Sequence, residues 1–100
     1  MDSKITLIAN IDILPGFEAE VKNAMVAMAM ETRKEPGCEL FQVNTREDSP
    51  QMIVNYEVYQ NQEAFDLHKT YAYAAAFFDY VKGKIKDDKI EVVYLTGSSS

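Results

Sequence analysis

Two proline–glycine pairs, Pro15-Gly16 and Pro36-Gly37, cut the first half of the chain into pieces of different periodicity. Proline fixes φ and lacks an N–H, and glycine adopts backbone conformations that other residues avoid, so such pairs end regular elements. Over Lys4–Leu14, Ile5, Leu7, Ala9, Ile11 and Ile13 alternate with Thr6, Ile8, Asn10 and Asp12. That period of two predicts a strand with one strongly apolar face. Over Phe17–Lys34, residues Phe17, Val21, Ala24, Met25, Met28 and Thr32 recur at helical spacing, which predicts a helix. Glu18 and Glu20 at its start and Arg33 and Lys34 at its end match the helix dipole. The run Ala24–Met30 is apolar nearly all round and predicts that this helix buries more than one face.

After the second pair, Cys38–Arg46 predicts a strand with Phe41, Val43 and Thr45 on one face. A polar turn, Glu47-Asp48-Ser49-Pro50, leads into a strand over Met52–Tyr59. There Met52, Val54, Tyr56 and Val58 face one way and Ile53, Asn55, Glu57 and Tyr59 the other. The short connection makes the two strands an antiparallel hairpin. Asn61 is placed as a helix N-cap for a segment ending near His68. A second helical run covers about Tyr71–Lys82, and Lys89–Leu95 forms a last strand. The order strand, helix, strand, strand, helix, strand is that of a ferredoxin-like split βαβ domain. The expected fold class is α+β: an antiparallel four-stranded sheet with its helices on one face. The expected organisation is one domain over residues 1–96, with 97–100 a disordered tail. Ile8 and Ile53 are expected on the uncovered sheet face, where they make it partly apolar. A symmetric homodimer packing sheet against sheet would bury that face.

Charge and cysteine usage narrow the function classes. Lysine plus arginine number 10 against 16 for aspartate plus glutamate, a formal charge of −6. No basic stripe is available to bind a nucleic-acid backbone. No apolar run approaches the length of a membrane span, and the first residues lack the pattern of a secretory signal. One cysteine, Cys38, and one histidine, His68, rule out an intrachain disulfide and a thiolate- or histidine-rich metal site within one chain. The expected setting is cytoplasmic. Four glycines, at 16, 37, 83 and 97, draw neither a phosphate loop nor a dinucleotide fingerprint. No cofactor is expected. What is left is chemistry in which the protein positions and desolvates a reactive small molecule.

Four motifs carry a resemblance. Glu35-Pro36-Gly37-Cys38 followed by Phe41, Tyr56-Glu57-Val58-Tyr59, Glu63-Ala64 through His68, and Phe77-Phe78 occur in this order on the expected elements. Together they resemble the antibiotic biosynthesis monooxygenase domain family, from about Lys4 to Leu95. The resemblance implies a homodimeric α+β barrel with a ligand pocket in each protomer. Members oxidise phenols or quinols with molecular oxygen and no metal or flavin, degrade haem, or isomerise the phosphorylated autoinducer-2 signal. Tyr59 stands where the family has tryptophan, as in the isomerase branch, which His68-Lys69-Thr70 also resembles. Of the haem-degrading residues, Asn10 matches the asparagine, but His68 and Phe78 fall near the tryptophan and the histidine, so the haem ligand is missing.

His68 is the only side chain whose ordinary pKa lies near neutrality, and it is the candidate general base. The structural alternative is a helix-end histidine bonded to backbone. Asn10, an amide among apolar strand residues, is the candidate partner for a substrate oxygen, or else a sheet-face or interface amide. In the expected fold these two face each other across the pocket. Tyr59, Tyr71, Phe41 and Phe78 are candidate pocket walls, with ordinary core as the alternative. Glu57, on the polar strand face, is a candidate substrate-binding or second acid–base group, or else one half of a cross-strand pair or part of a solvated face. Cys38 reads as structural. Three functions from different classes remain: a cofactor-independent monooxygenase of small phenols, quinols or polyketide-like aromatics; an isomerase of a phosphorylated dicarbonyl with Lys69, Lys82, Lys84 and Lys86 as anion-site candidates; and a non-catalytic dimeric small-molecule binder.

Overall fold

The computed structural model of the protein describes residues 4–97, so the expected tail beyond Gly97 lies outside the described residues. In chain order the elements are strand β1 (Ile5–Asp12), helix α1 (Glu18–Thr32), strands β2 (Cys38–Arg46) and β3 (Ser49–Tyr59), helices α2 (Gln62–His68) and α3 (Ala72–Tyr80), and strand β4 (Glu91–Leu95). A short 3-10 turn, Lys86–Asp88, precedes β4. The strands form one antiparallel sheet in the order β2-β3-β1-β4. This is the ferredoxin-like α+β fold, with β3 and β1 as the central pair of its sheet. The hairpin turn is tighter than expected: only Glu47 and Asp48 lie outside the strands, and Ser49 and Pro50 already belong to β3. Arg46 braces it by donating to both carboxylate oxygens of Asp48, at 2.9 and 2.7 Å.

Register decides what each sheet face carries. Ile11 pairs with Ile53, Ala9 with Asn55, Leu7 with Glu57 and Ile5 with Tyr59. Residues opposite each other in a ladder share a face, so all eight point toward the helices. Ile53 is therefore a fully buried core residue, contrary to its expected place on the uncovered face. The uncovered face instead carries Ile8 against Tyr56 and Val93, with Val54 and Val58 beside them. The β3 strand is thus reversed in polarity: its asparagine and glutamate point inward, and its valines and Tyr56 point away from the helices.

One core cluster joins β1, β3, α1 and α3 through Ile11, Ile53, Val21, Met25, Ala74 and Phe77. A second joins Leu7, Ala9, Tyr59 and Phe65 near α2. Helix α1 buries one stripe, Val21, Met25, Met28, Ala29 and Thr32. Val26 and Met30 are exposed, at 48 % and 58 %, so the expectation of a second buried face does not hold within the protomer. A single sheet contacts only one stripe of a helix, and the apolar run is wider than that stripe.

Candidate active site

The turn after α1 organises the site. Glu35 N–H donates to the carbonyl of Thr32 at 3.0 Å, and Cys38 N–H to that of Glu35 at 3.1 Å. Proline disfavours the helical region for the residue before it, and α1 ends at Thr32, ahead of Glu35-Pro36. Gly37 then passes against Ala64 so closely that a Cβ on it would clash with the Ala64 side chain. Its carbonyl accepts from Gln60 N–H at 2.9 Å. The turn is thereby fastened to the start of α2, whose first turn is capped by Asn61 Oδ1 accepting from Ala64 N–H at 2.9 Å. One end of this arrangement sets Glu35 and the other sets His68.

The two side chains meet. His68 Nδ1 lies 2.9 Å from Glu35 Oε2, with the side chains 4 % and 6 % exposed. The imidazole is boxed by Tyr59, Phe41 and Phe65, with ring centroids 5.6, 6.2 and 6.4 Å away. A carboxylate at Nδ1 accepts its N–H in the tautomer that leaves Nε2 without a hydrogen, the nitrogen available as a base.

His68 lines a cavity of about 330 Å³ between the inner sheet face and the three helices. Its walls are mostly apolar, with Leu7, Ile11, Met25, Phe65, Phe77 and Phe78 among them. Its polar points are few: His68, Asn55 and Glu57 within, and Lys69, Lys82 and Asp88 around it. A volume of this size takes a ring system rather than an ion. Among the described residues no cluster of three histidine, cysteine or acidic side chains is placed to hold a metal ion.

Glu57 is 4 % exposed. Its Oε1 accepts a 2.8 Å hydrogen bond from the Tyr59 hydroxyl. Burial pushes its carboxyl up from 4.5 to about 7, against the Tyr59 hydrogen bond, which favours the ionised form; the nearby Glu35 adds to the rise. Burial, then the Glu57 charge, raises the Tyr59 phenol well above its usual range, so this hydroxyl is a donor and not a base. Cys38 is likewise pushed up to about 11 by burial and then by Glu35 and Glu57, which keeps it a thiol. Asn55 is 1 % exposed. Its Nδ2 donates to Met25 Sδ at 3.3 Å, and its Oδ1 has no hydrogen-bond partner among the described residues.

The structure gathers some of the candidate residues and separates others. His68, Glu57 and Phe78 line the cavity. Tyr59 and Phe41 stand behind it, packed on His68. Tyr71 lies elsewhere, in the outer groove with Glu35, Pro36 and Gly37, stacked on Tyr73. Asn10 does not face His68: it is on the uncovered face of the sheet, where its Nδ2 donates to Glu91 Oε1 at 2.9 Å. The strand period explains this, because Asn10 alternates with the inward Ala9 and Ile11. Of the four lysines, Lys69 and Lys82 border the cavity, each paired with an aspartate three residues earlier, Asp66 at 3.3 Å and Asp79 at 3.1 Å. Sequence reasoning missed Glu35 and Asn55 as site residues. Asn55 had a visible signal, the same amide-among-apolar pattern that drew attention to Asn10. For Glu35 only the turn motif hinted at a role.

Among the described residues no helix is long and apolar enough to cross a membrane. No curated protein sequence matches the chain significantly. Solved structures match over nearly its whole length. The Rv0793 protein of Mycobacterium tuberculosis superposes with a TM-score of 0.88 at 21 % identity, covering 98 % of each chain. PA3566 of Pseudomonas aeruginosa gives 0.90 at 18 % identity, covering 99 % of this chain and 98 % of that one. A structure described as an antibiotic biosynthesis monooxygenase gives 0.87 at 19 %, covering 95 % and 99 %. At these identities the structures show the shared fold. The family model for antibiotic biosynthesis monooxygenase matches residues 4–80, a span that runs from the start of β1 through the Glu35–His68 turn and helix to the end of α3, and the chain belongs to that family.

Proposed function

We propose that the protein is a cofactor-independent monooxygenase of a small phenol or quinol. The observation that carries this reading is the buried Glu35–His68 pair at the wall of an aromatic cavity. A phenol bound there gives its proton to His68 Nε2, while Glu35 stabilises the imidazolium. The phenolate, an electron-rich ring in an apolar cavity, passes one electron to molecular oxygen. Recombination of the radical pair forms a bond between oxygen and the ring carbon opposite the phenol oxygen. Net, a phenol with a free carbon at that position and dioxygen become a quinone and water. In a mostly apolar cavity the phenolate and the charges that follow it are met by fixed protein groups.

The working unit in this reading is a homodimer. Its interface is the uncovered sheet face, where Ile8, Val54, Tyr56, Val58 and Val93 form an apolar surface with no helix of the described residues over it.

Oxygen uptake with α-naphthol, in metal-chelated buffer without flavin, tests the proposal, with naphthoquinone as the expected product. His68→Ala lowers the rate about 10²–10⁴-fold, the usual share of a general base, with the fold intact. Wild-type rates in that variant would remove His68 from the mechanism. Turnover of a phosphorylated dicarbonyl instead would favour the isomerase, for which Lys69 and Lys82 border the cavity. Binding without turnover of either would favour the non-catalytic binder.

A further inference from the structure

We infer that Glu57 is the proton donor of this oxygenation, protonating the hydroxide that leaves when the O–O bond of a ring-bound hydroperoxide breaks. The inference rests on the monooxygenase reading and assigns it a second proton-handling residue.

The site holds two buried carboxyl groups in unlike settings. Glu35 has a basic partner, His68 Nδ1, at 2.9 Å. Among the described residues Glu57 has none: its one hydrogen bond there is the 2.8 Å contact from the Tyr59 hydroxyl to Oε1. Of the two carboxyl groups, only Glu57 lines the cavity without a basic group bonded to it among the described residues, which suits it to the acid-side role. The groups facing Glu57 are Glu35 and Cys38 from the turn and β2, and Tyr59 from its own strand. Around the shared cavity stand His68, Lys69, Lys82 and Asp88. Burial, and after it the Glu35 charge, outweigh the Tyr59 hydrogen bond and favour the protonated carboxyl, in line with the rise to about 7. Because Tyr59 occupies Oε1, the acid proton belongs on Oε2, and Glu57 lines the cavity that His68 lines.

The reaction needs such a donor. After oxygen adds to the ring, the peroxide takes back the proton held by His68. His68 then removes the hydrogen on the same ring carbon, the C–H electron pair becomes the second C=O bond, and the O–O bond breaks. Hydroxide leaves and takes the Glu57 proton to become water. His68 ends protonated and Glu57 ionised, and one proton passed through solvent from the first to the second resets both. Glutamine at position 57 keeps the Tyr59 hydrogen bond but has no proton to give.

The experiment has two arms. Infrared spectra of wild type and Glu57→Gln are compared as pH is raised. The wild type shows one extra carboxylic-acid carbonyl band below neutral pH, which fades on passing through about 7. In turnover of α-naphthol, kcat of Glu57→Gln falls about a hundredfold or more with little change in KM. The fall of wild-type kcat above neutral pH disappears in that variant. Tyr59→Phe moves this alkaline limb to higher pH, because the lost hydrogen bond favoured the ionised carboxylate; a merely structural tyrosine would not. Absence of the acid band overturns the inference whatever the turnover. A band with unchanged kcat in Glu57→Gln overturns it and leaves the monooxygenase reading standing. No oxygen uptake by wild type overturns both.

Discussion

His68 Nδ1 and Glu35 Oε2 are 2.9 Å apart although 33 residues separate them in the chain. Their pairing depends on a turn pinned to a helix start, through Gly37 against Ala64. A carboxylate on Nδ1 fixes which imidazole nitrogen is basic and which way the ring points. Exchange of Glu35 for glutamine keeps an acceptor for the Nδ1 proton but removes the charge that stabilises the imidazolium. Glu35→Gln is expected to change stability by less than about 1 kcal/mol while lowering turnover on the order of a hundredfold. Thermal unfolding and steady-state kinetics on the same preparation check both halves.

Gly37→Ala tests whether the pinned turn sets the site. The added methyl meets the Ala64 side chain, so the turn and α2 must move apart. Overpacking of this kind costs about 1–3 kcal/mol. The expected result is a lower Tm together with lower turnover, since His68 rides on α2. A variant with lower Tm and wild-type turnover would show that the site tolerates movement of the turn.

The pH dependence of stability follows from Glu57. Its carboxyl is raised in the folded protein from 4.5 to about 7. The folded state therefore binds a proton more tightly than the unfolded state, and this contribution is full below pH 4.5 and lost as pH rises toward about 7. Glu57→Gln stays neutral throughout. Relative to wild type it should be equally stable at acid pH and more stable above neutrality, by about 3 kcal/mol. Urea unfolding of both proteins across this range checks it; parallel curves would show that Glu57 titrates normally.

The proposed dimer puts Ile8 and Tyr56, paired across β1 and β3, at the centre of its interface. Tyr56→Glu sets a charge into that apolar surface and should convert a dimer into a monomer near 11.3 kDa. Sedimentation of wild type at micromolar concentration giving the monomer mass would reject the dimer outright.

The order of elements was legible in the residues. The switch from period two to period 3.6 at Pro15-Gly16, and the return at Pro36-Gly37, are local facts from which α1 and β2 follow, and the Asn61 cap is read from its own residue type. So was His68 as the one titratable group suited to base chemistry near neutrality. What local pattern does not contain is which face of a strand meets the helices. Along β3 the two sets of residues, Ile53, Asn55, Glu57 and Tyr59 against Val54, Tyr56 and Val58, are chemically close to balanced, and hydrophobicity alone points the valines inward. Pairing with β1 decides it: Leu7, Ala9 and Ile11 are the stronger apolar row, and antiparallel register carries Glu57, Asn55 and Ile53 to the inside with them. The same register sends Asn10 to the outer face and away from His68. Glu35 joined the site for the other reason sequence is silent, a side-chain contact made only when the chain closes a long loop. Periodicity is set by neighbours in the chain and could be read from them; the pairing of Glu35 with His68, and the burial of Glu57 at the same cavity, are set by neighbours in space, and only the folded protein brings those together.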